Sequence, residues 1–324
     1  MLPWSDTLVL TMVALVADAL IGDPDWLWRR LAHPVALIGR AIAALDCALN
    51  RETWSPARRK LFGIITILLL IIASLLLGYA IEAIIPRGIT GNIALGLLAS
   101  TLIAQKSLYQ HVARVHAAFN TGGLAAARDA VSLIVGRDPH SLDESGVSRA
   151  AVESCAENFS DGVVAPTLWL ALLGLPGLLA YKAINTADSI IGHRSDKYRE
   201  FGWASARLDD LVNLVPARIA GLLLALAAPA VRGALVSALR TMWRDARKHR
   251  SPNAGWPESA MAGALGLRLA GPRRYAEGLI DDPYLNTDGR DAAPADIRRA
   301  LRMLVAAGGI QFAVLAMLTL LVIP

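Results

Sequence analysis

The residues able to do chemistry concentrate between positions 150 and 213. Glu153 and Glu157 lie four apart, on one face of a helix, and Asp161 follows a turn later. After an apolar run come Lys182, Asn185, Asp188 and Ser189, which share a broad face of about 120° at roughly 100° per helical residue. Asp209, Asp210 and Asn213 then open the next apolar run. Unpaired charge beside lipid is costly, so three acidic clusters among apolar helices suit a cation or a phosphate-bearing substrate. Magnesium takes one or two protein carboxylates together with phosphate oxygens. The plainer alternative is that Glu153, Glu157 and Asp161 pair with Arg149 and Lys182 in structural salt bridges, and that the second face simply lies wet on a surface.

Other chemistries lack their residues. The chain has no G-x-x-x-x-G-K-[ST] phosphate loop and no G-x-G-x-x-G turn after a strand. A bound nucleotide would have to be held by side chains and a metal. His33, His193 and His249 show no H-x-x-x-H spacing, which argues against zinc. Cys47 and Cys155 match no redox or metal pattern, and Cys155 reads as a small buried apolar residue.

The elements that must position these groups belong to a membrane protein. Of 324 residues, 55% are hydrophobic and only 18% charged, and the mean hydropathy is +0.45, outside the range of an ordinary soluble enzyme. The net charge of +5 is spread over many loops without an aromatic-interleaved patch, so it reads as orientation signals and anion contacts, not nucleic-acid binding. Residues 7–21 form an apolar helix interrupted by Asp18 and ended by Gly22-Asp23-Pro24; without a basic leader it is expected to be retained. An amphipathic segment follows His33-Pro34-Val35, and Arg51, Arg58, Arg59 and Lys60 place the next loop in the cytoplasm by the positive-inside rule.

Residues 61–85, with one late acid, Glu82, are long enough to cross the bilayer, and 93–104 are expected to return. Residues 106–149 turn water-soluble: Tyr109, Val112, Val115 and Phe119 recur at helical spacing, and Asn120-Thr121-Gly122-Gly123 makes a turn. Residues 141–144 cap the helix carrying the first acids. Residues 163–181 and 219–231 are apolar but broken by proline and glycine, and the expected arrangement is re-entrant or broken helices covered by protein. Residues 232–302 are the most basic part; the 251–258 loop, with two prolines, a glycine and a tryptophan, is expected to display Asn253 and Glu258, and 275–294 to be an exposed loop. A last span covers 304–323. The expected fold is therefore an all-α polytopic membrane protein, a single domain over 1–324, with about four to six inserted helices and soluble-looking insertions at 106–162 and 232–302.

The wording of the motifs carries a resemblance. Gly22-Asp23-Pro24, His33-Pro34-Val35, Ile38-Gly39-Arg40, then AVESCAENFSDGVVAP, YKAINTADSIIGHRSDKYREFGWASARLDDLVNLVPARI and SPNAGWPESAMAGALG, together resemble the CobD/CbiB family, the adenosylcobinamide-phosphate synthases of cobalamin biosynthesis. The likeness runs from about Asp18 to the final span, with Cys155 and Phe159 as departures. It implies an inner-membrane enzyme, active site facing the cytoplasm, that joins a corrinoid acid to aminopropanol or its phosphate through an amide bond, using ATP and Mg²⁺. Under that reading Glu153, Glu157, Asp161 and Asp188 are the catalytic candidates, with Glu157, Asp161 and Asp188 as metal ligands. Lys182, Arg194 and Arg207 would contact phosphate; Asn158, Asn185, Asn253 and Glu258 would meet the corrinoid, and Trp203 or Trp256 would pack on its ring. A homo-oligomer is compatible with the resemblance. The rival class is a transporter of a corrinoid or another anion, which builds sites from broken helices too; the chain shows no internal inverted repeat.

Overall fold

The computed structural model describes residues 2–135, 139, 141–193, 195–275 and 278–322. The described residues are mostly helical, with little sheet. In order it forms α1 (Trp4–Leu20), α2 (Asp25–Trp28), α3 (Pro34–Leu49), α4 (Pro56–Ile84), α5 (Ile89–Ser100), α6 (Gln105–Ser132), α7 (Glu144–Phe159), a π-helical turn (Ser160–Val164), α8 (Ala165–Ile191), α9 (Trp203–Val212), α10 (Leu214–Ala227), α11 (Leu235–Asp245), α12 (Gly255–Leu265) and α13 (Pro294–Val322). Between α12 and α13, β1 (Leu269–Ala270) pairs antiparallel with β4 (Tyr284–Leu285), and β2 (Arg273–Tyr275) with β3 (Gly278–Ile280). The expected exposed loop at 275–294 is thus partly paired, and Leu285 is buried.

Among the described residues, four helical stretches are long and apolar enough to cross a membrane: Pro56–Ile84, Glu144–Ile191, Leu214–Val231 and Pro294–Val322. The first and last turn most of their apolar side chains outward, whereas the middle two are largely enclosed by protein. The expected return helix does not reach: α5 has 12 residues, about 18 Å at 1.5 Å per residue against roughly 30 Å of hydrocarbon.

The chain divides into two compact units, one of residues 1–104, 165–213 and 315–324, the other of 105–164 and 214–314. In the first, α4 lies along α8, α1 packs on α5 and α8, and α3 and α9 close on α4 and α8. Ile42, Ile67, Leu70, Ile184, Ile191 and Phe201 fill part of its core. Thr7, Leu10, Thr11, Ala14 and Asp18 are buried at helical spacing along α1, and the Thr7 hydroxyl donates to the Ala171 carbonyl at 2.8 Å.

In the second unit α12 is buried on every side, as an apolar helix without a polar stripe must be, against α7, α10 and α11. Val112 and Val115 of α6 join its core, as their spacing predicts, while Tyr109 is exposed. The turn expected near 120–123 is a break at Gly123, whose positive φ of 65° interrupts α6.

A second break shapes the first unit. Gly174 takes φ 69°, a left-handed value that glycine tolerates, and Pro176 cannot continue the hydrogen-bond ladder. The backbone N–H of Leu175 is released and donates to Oε1 of Glu82 at 2.9 Å. Four residues earlier on the same face of α4, Gly78 has no side chain where a Cβ would stand 2.5 Å from the Pro176 Cα. The single late acid of an otherwise apolar helix is therefore the acceptor for its neighbour's interrupted backbone. Replacing Glu82 with Leu leaves a buried amide unsatisfied, an expected loss of about 1–3 kcal/mol. Glu82→Gln keeps an acceptor, so thermal unfolding in detergent should show a clear drop in Tm for the leucine variant and most of it restored by glutamine.

Candidate functional site

The second and third polar clusters meet in the first unit. The C-terminal half of α8 carries Lys182, Asn185 and Asp188; α9 packs against it and carries Arg207, Asp209 and Asp210. Asn185 Nδ2 donates to Asp209 Oδ1 at 3.3 Å, and Asp188 lies close enough to Asp209 to repel its charge. Arg207 pairs with Asp210 at 3.2 Å on the exposed side of α9. Below the carboxylates the Tyr181 hydroxyl donates to Asn213 Oδ1 at 3.0 Å, both groups sealed from solvent. Lys182 is buried as well, and its carbonyl accepts from the Thr186 hydroxyl. Arg194 lies outside the described residues.

Asp209 is the residue that the sequence named without a role and the fold makes distinctive. Burial, reinforced by the neighbouring Asp188 charge, pushes its carboxyl from 3.8 to about 7, although the Asn185 and Asn213 amides act in the opposite sense. Asp245, at the end of α11, shows the contrast. Its side chain is also removed from solvent, yet Arg244 at 2.7 Å, Lys248 at 2.7 Å and the Asn286 N–H at 2.8 Å outweigh burial and pull it down to about 2. The first acid is poised and the second is permanently charged. The i,i+4 spacing of Asp209 and Asn213, matched to Tyr181 and Asn185, was the available signal.

The first cluster lies in the second unit and divides by depth. Glu153 is buried, and its Oε1 accepts from the Ala270 N–H at 2.6 Å. Ala270 holds a positive φ of 58°, so Glu153 anchors a strained end of β1 to α7. Glu157 and Asn158, a turn on, are exposed; Asn158 Nδ2 donates back to the Ser154 carbonyl and hydroxyl at 2.9 and 3.1 Å. Asp161 sits on the π-helical turn, partly exposed. Such turns widen the helix and recur at functional sites. The helix start is capped as its sequence suggests: Asp143 Oδ1 accepts from the Gly146 N–H at 2.7 Å.

The expectation that Asn253 and Glu258 are displayed is overturned. They are 5% and 1% exposed. Asn253 Oδ1 accepts from Arg218 Nη1 at 3.1 Å, and Glu258 Oε1 stands 3.7 Å from His249 Nε2. Trp256 is enclosed too, with the Arg218 guanidinium 4.5 Å from its ring centre and Trp243 edge-on at 5.1 Å. The rigid loop folds inward because Ser251 Oγ accepts from the N–H groups of both Asn253 and Ala254, so its polar groups satisfy the entry to α12. A ring packed on Trp256 would have to displace Trp243 or Arg218. Trp203, by contrast, is 41% exposed.

Among the described residues no three His, Cys, Asp or Glu side chains gather as a ready cation site. Adjacent Asp188 and Asp209 nevertheless offer the two carboxylates that magnesium takes when substrate phosphate completes its shell. The pair can hold a phosphate-linked cation or, with none bound, keep a proton near neutral pH on Asp209.

Comparison with known proteins gives a consistent picture. The family described as CobD/Cbib protein matches residues 11–304. The chain is 54% identical over 291 residues to a protein of Sinorhizobium fredii named cobalamin biosynthesis protein CobD, covering 89% of each. It is 51% identical over 307 residues, 94% of each, to the protein of that name from Rhizobium meliloti. The Rhodobacter capsulatus protein of the same name is 50% identical, with 91% of each covered. No solved structure matches the chain.

The Asp209 shift has a signed consequence for stability. Its folded-state pKa lies above the unfolded one, so the native state holds the proton more tightly. That contribution is fully present below about pH 4 and is lost as pH rises toward 7. Asp209→Asn removes the penalty. Its Tm in detergent should exceed that of the wild type at pH 8, on the order of 5 °C, and converge with it near pH 4.

Proposed function

Because the chain belongs to the CobD/CbiB family and so to cobalamin biosynthesis, we propose that it is the membrane ligase joining a corrinoid propionate to aminopropanol or aminopropanol phosphate at the expense of ATP. The observation that carries this reading is the group assembled by α8 and α9: Asp188 and Asp209 side by side, the Asn185 amide between the helices, and Lys182 on the same face of α8. A carboxylate and an ammonium do not condense in water, because the amine is protonated and the leaving group is poor. Phosphorylation of the propionate supplies the leaving group, and a carboxylate that accepts the ammonium proton frees the nucleophile.

The chain's own residues would divide this work. Asp188, with Asp209 beside it, would hold Mg²⁺, which when bound neutralises phosphate charge. Lys182 and Arg207 would contact phosphate oxygens, and Asn185 would orient an amide or carboxyl group of the corrinoid. In the second unit, Glu157 and Asp161 are the accessible acids that the family resemblance implies, whereas Glu153 holds β1 in place. Positioning and electrostatics would provide most of the rate, as in other phosphoryl transfers. The reading places the site on the cytoplasmic side of the inner membrane, where ATP is available.

A turnover assay tests it: protein purified in detergent, cobyric acid, Mg-ATP and either amine, with corrinoid products resolved by mass. The expected result is an amide product that requires ATP and falls about 10²–10⁴-fold in Asp188→Asn, with a marked loss in Glu157→Gln. Product formation unaffected by both variants would move the site elsewhere, and no product with either amine would overturn the ligase.

A further inference from the structure

The cations around the start of α4 form a site that the catalytic reading does not use. Arg58 lies 4.1 Å from the Trp54 ring centre and 5.8 Å from that of Phe62, and Arg51 lies 5.6 Å from Trp54. The Trp54 and Phe62 rings are themselves 4.6 Å apart. Lys60 Nζ sits 3.7 Å from the ring centre of Trp203, brought from the distant start of α9. Residues two apart on a helix point to nearly opposite sides, so Arg58 and Lys60 ring the neck of α4 with charge.

This charge is not neutralised by the protein. Among the described residues none of Arg51, Arg58 and Lys60 forms an ion pair, with Glu52 of the same loop or with any other acid. The nearby acids are engaged elsewhere, Asp46 by Lys197 at 2.8 Å and Asp196 by Arg199 at 3.4 Å. Arg59 differs: it donates to Asn50 and to the backbone of Asp196 and Lys197, and so ties the loop together. Immediately past the ring of charge the outer face of α4 turns apolar, with Leu61, Leu68, Leu69, Ile72 and Leu76 all exposed.

We propose that the Arg51–Arg58 side of this collar is a binding site for anionic phospholipid, the headgroup phosphate beside the two guanidiniums that meet Trp54 and an acyl chain along the stripe that begins at Leu61 on the same face of α4 as Arg58. Aromatic side chains and near-surface cations both favour the headgroup level, and the apolar stripe distinguishes a lipid from a free phosphate. The site is independent of the ligase reading.

Native mass spectrometry of the full chain in non-ionic detergent tests it, with phosphatidylglycerol, phosphatidylcholine and inorganic phosphate as probes. Phosphatidylglycerol should be retained in preference to phosphatidylcholine, weaken with rising salt, and resist competition by millimolar phosphate. R51Q/R58Q should lower phosphatidylglycerol affinity roughly 30-fold, the effect of two near-surface cations, without changing phosphatidylcholine binding. If the double variant does not fold, Arg51→Gln, which leaves the Trp54–Arg58–Phe62 stack intact, should cost roughly fivefold. Equal binding of the two lipids, wild-type affinity in the variants, or displacement by phosphate would overturn the proposal.

Discussion

A backbone amide released inside an apolar helix has to find an acceptor, and most of the first unit is arranged around the one that Leu175 finds in Glu82. Hydrocarbon offers no water to compensate a broken helix, so a break is tolerated only where a neighbour repairs it. Here the repair comes from α4, where Gly78 admits the Pro176 backbone and Glu82, a turn later, accepts the orphaned N–H. The kink at Gly174 separates the apolar first part of α8 from the second part, which bears Lys182, Asn185 and Asp188. An acid in a membrane helix, commonly read as part of a pathway for charge, is in this case part of the scaffold.

The acids of the chain differ less in type than in what surrounds them. Glu153 is tied to a strained backbone turn, Asp245 is fixed by two cations and an amide, and Glu258 faces His249 inside the second unit. Asp209 has burial and the like charge of Asp188 acting on it, and its proton affinity rises accordingly. A carboxylate held near neutrality beside another acid is chemically different from one locked in an ion pair. That difference ranks α8 and α9 above the acids of α7, although the acids of α7 were equally prominent as a pattern.

Cationic residues divide in the same way. Arg59, Arg218 and Lys197 hold the fold together through backbone or side-chain acceptors. Arg51, Arg58 and Lys60 rest on aromatic faces and keep their charge for something outside the protein. Where such residues border an outward-facing apolar helix, the membrane surface itself is a chemical partner and not merely a solvent.

By itself the sequence determined the class of the protein: the helices and their long apolar runs, the buried Cys155, the period of Val112 and Val115, the cap at Asp143, and the motif blocks that mark the family. All of these are local in the chain, set by composition, spacing or a few adjacent residues. Tertiary structure alone decided which polar residues are available. Asn253, Trp256 and Glu258 look like a displayed loop and are enclosed, because Ser251 and Arg218 satisfy their neighbours from the inside. Asp209 looked like one acid among several until Asp188 and Asn185 came beside it from another helix. Lys60 met Trp203 across more than a hundred residues of chain. Burial and charge pairing depend on partners remote in sequence, and no local spacing can encode them.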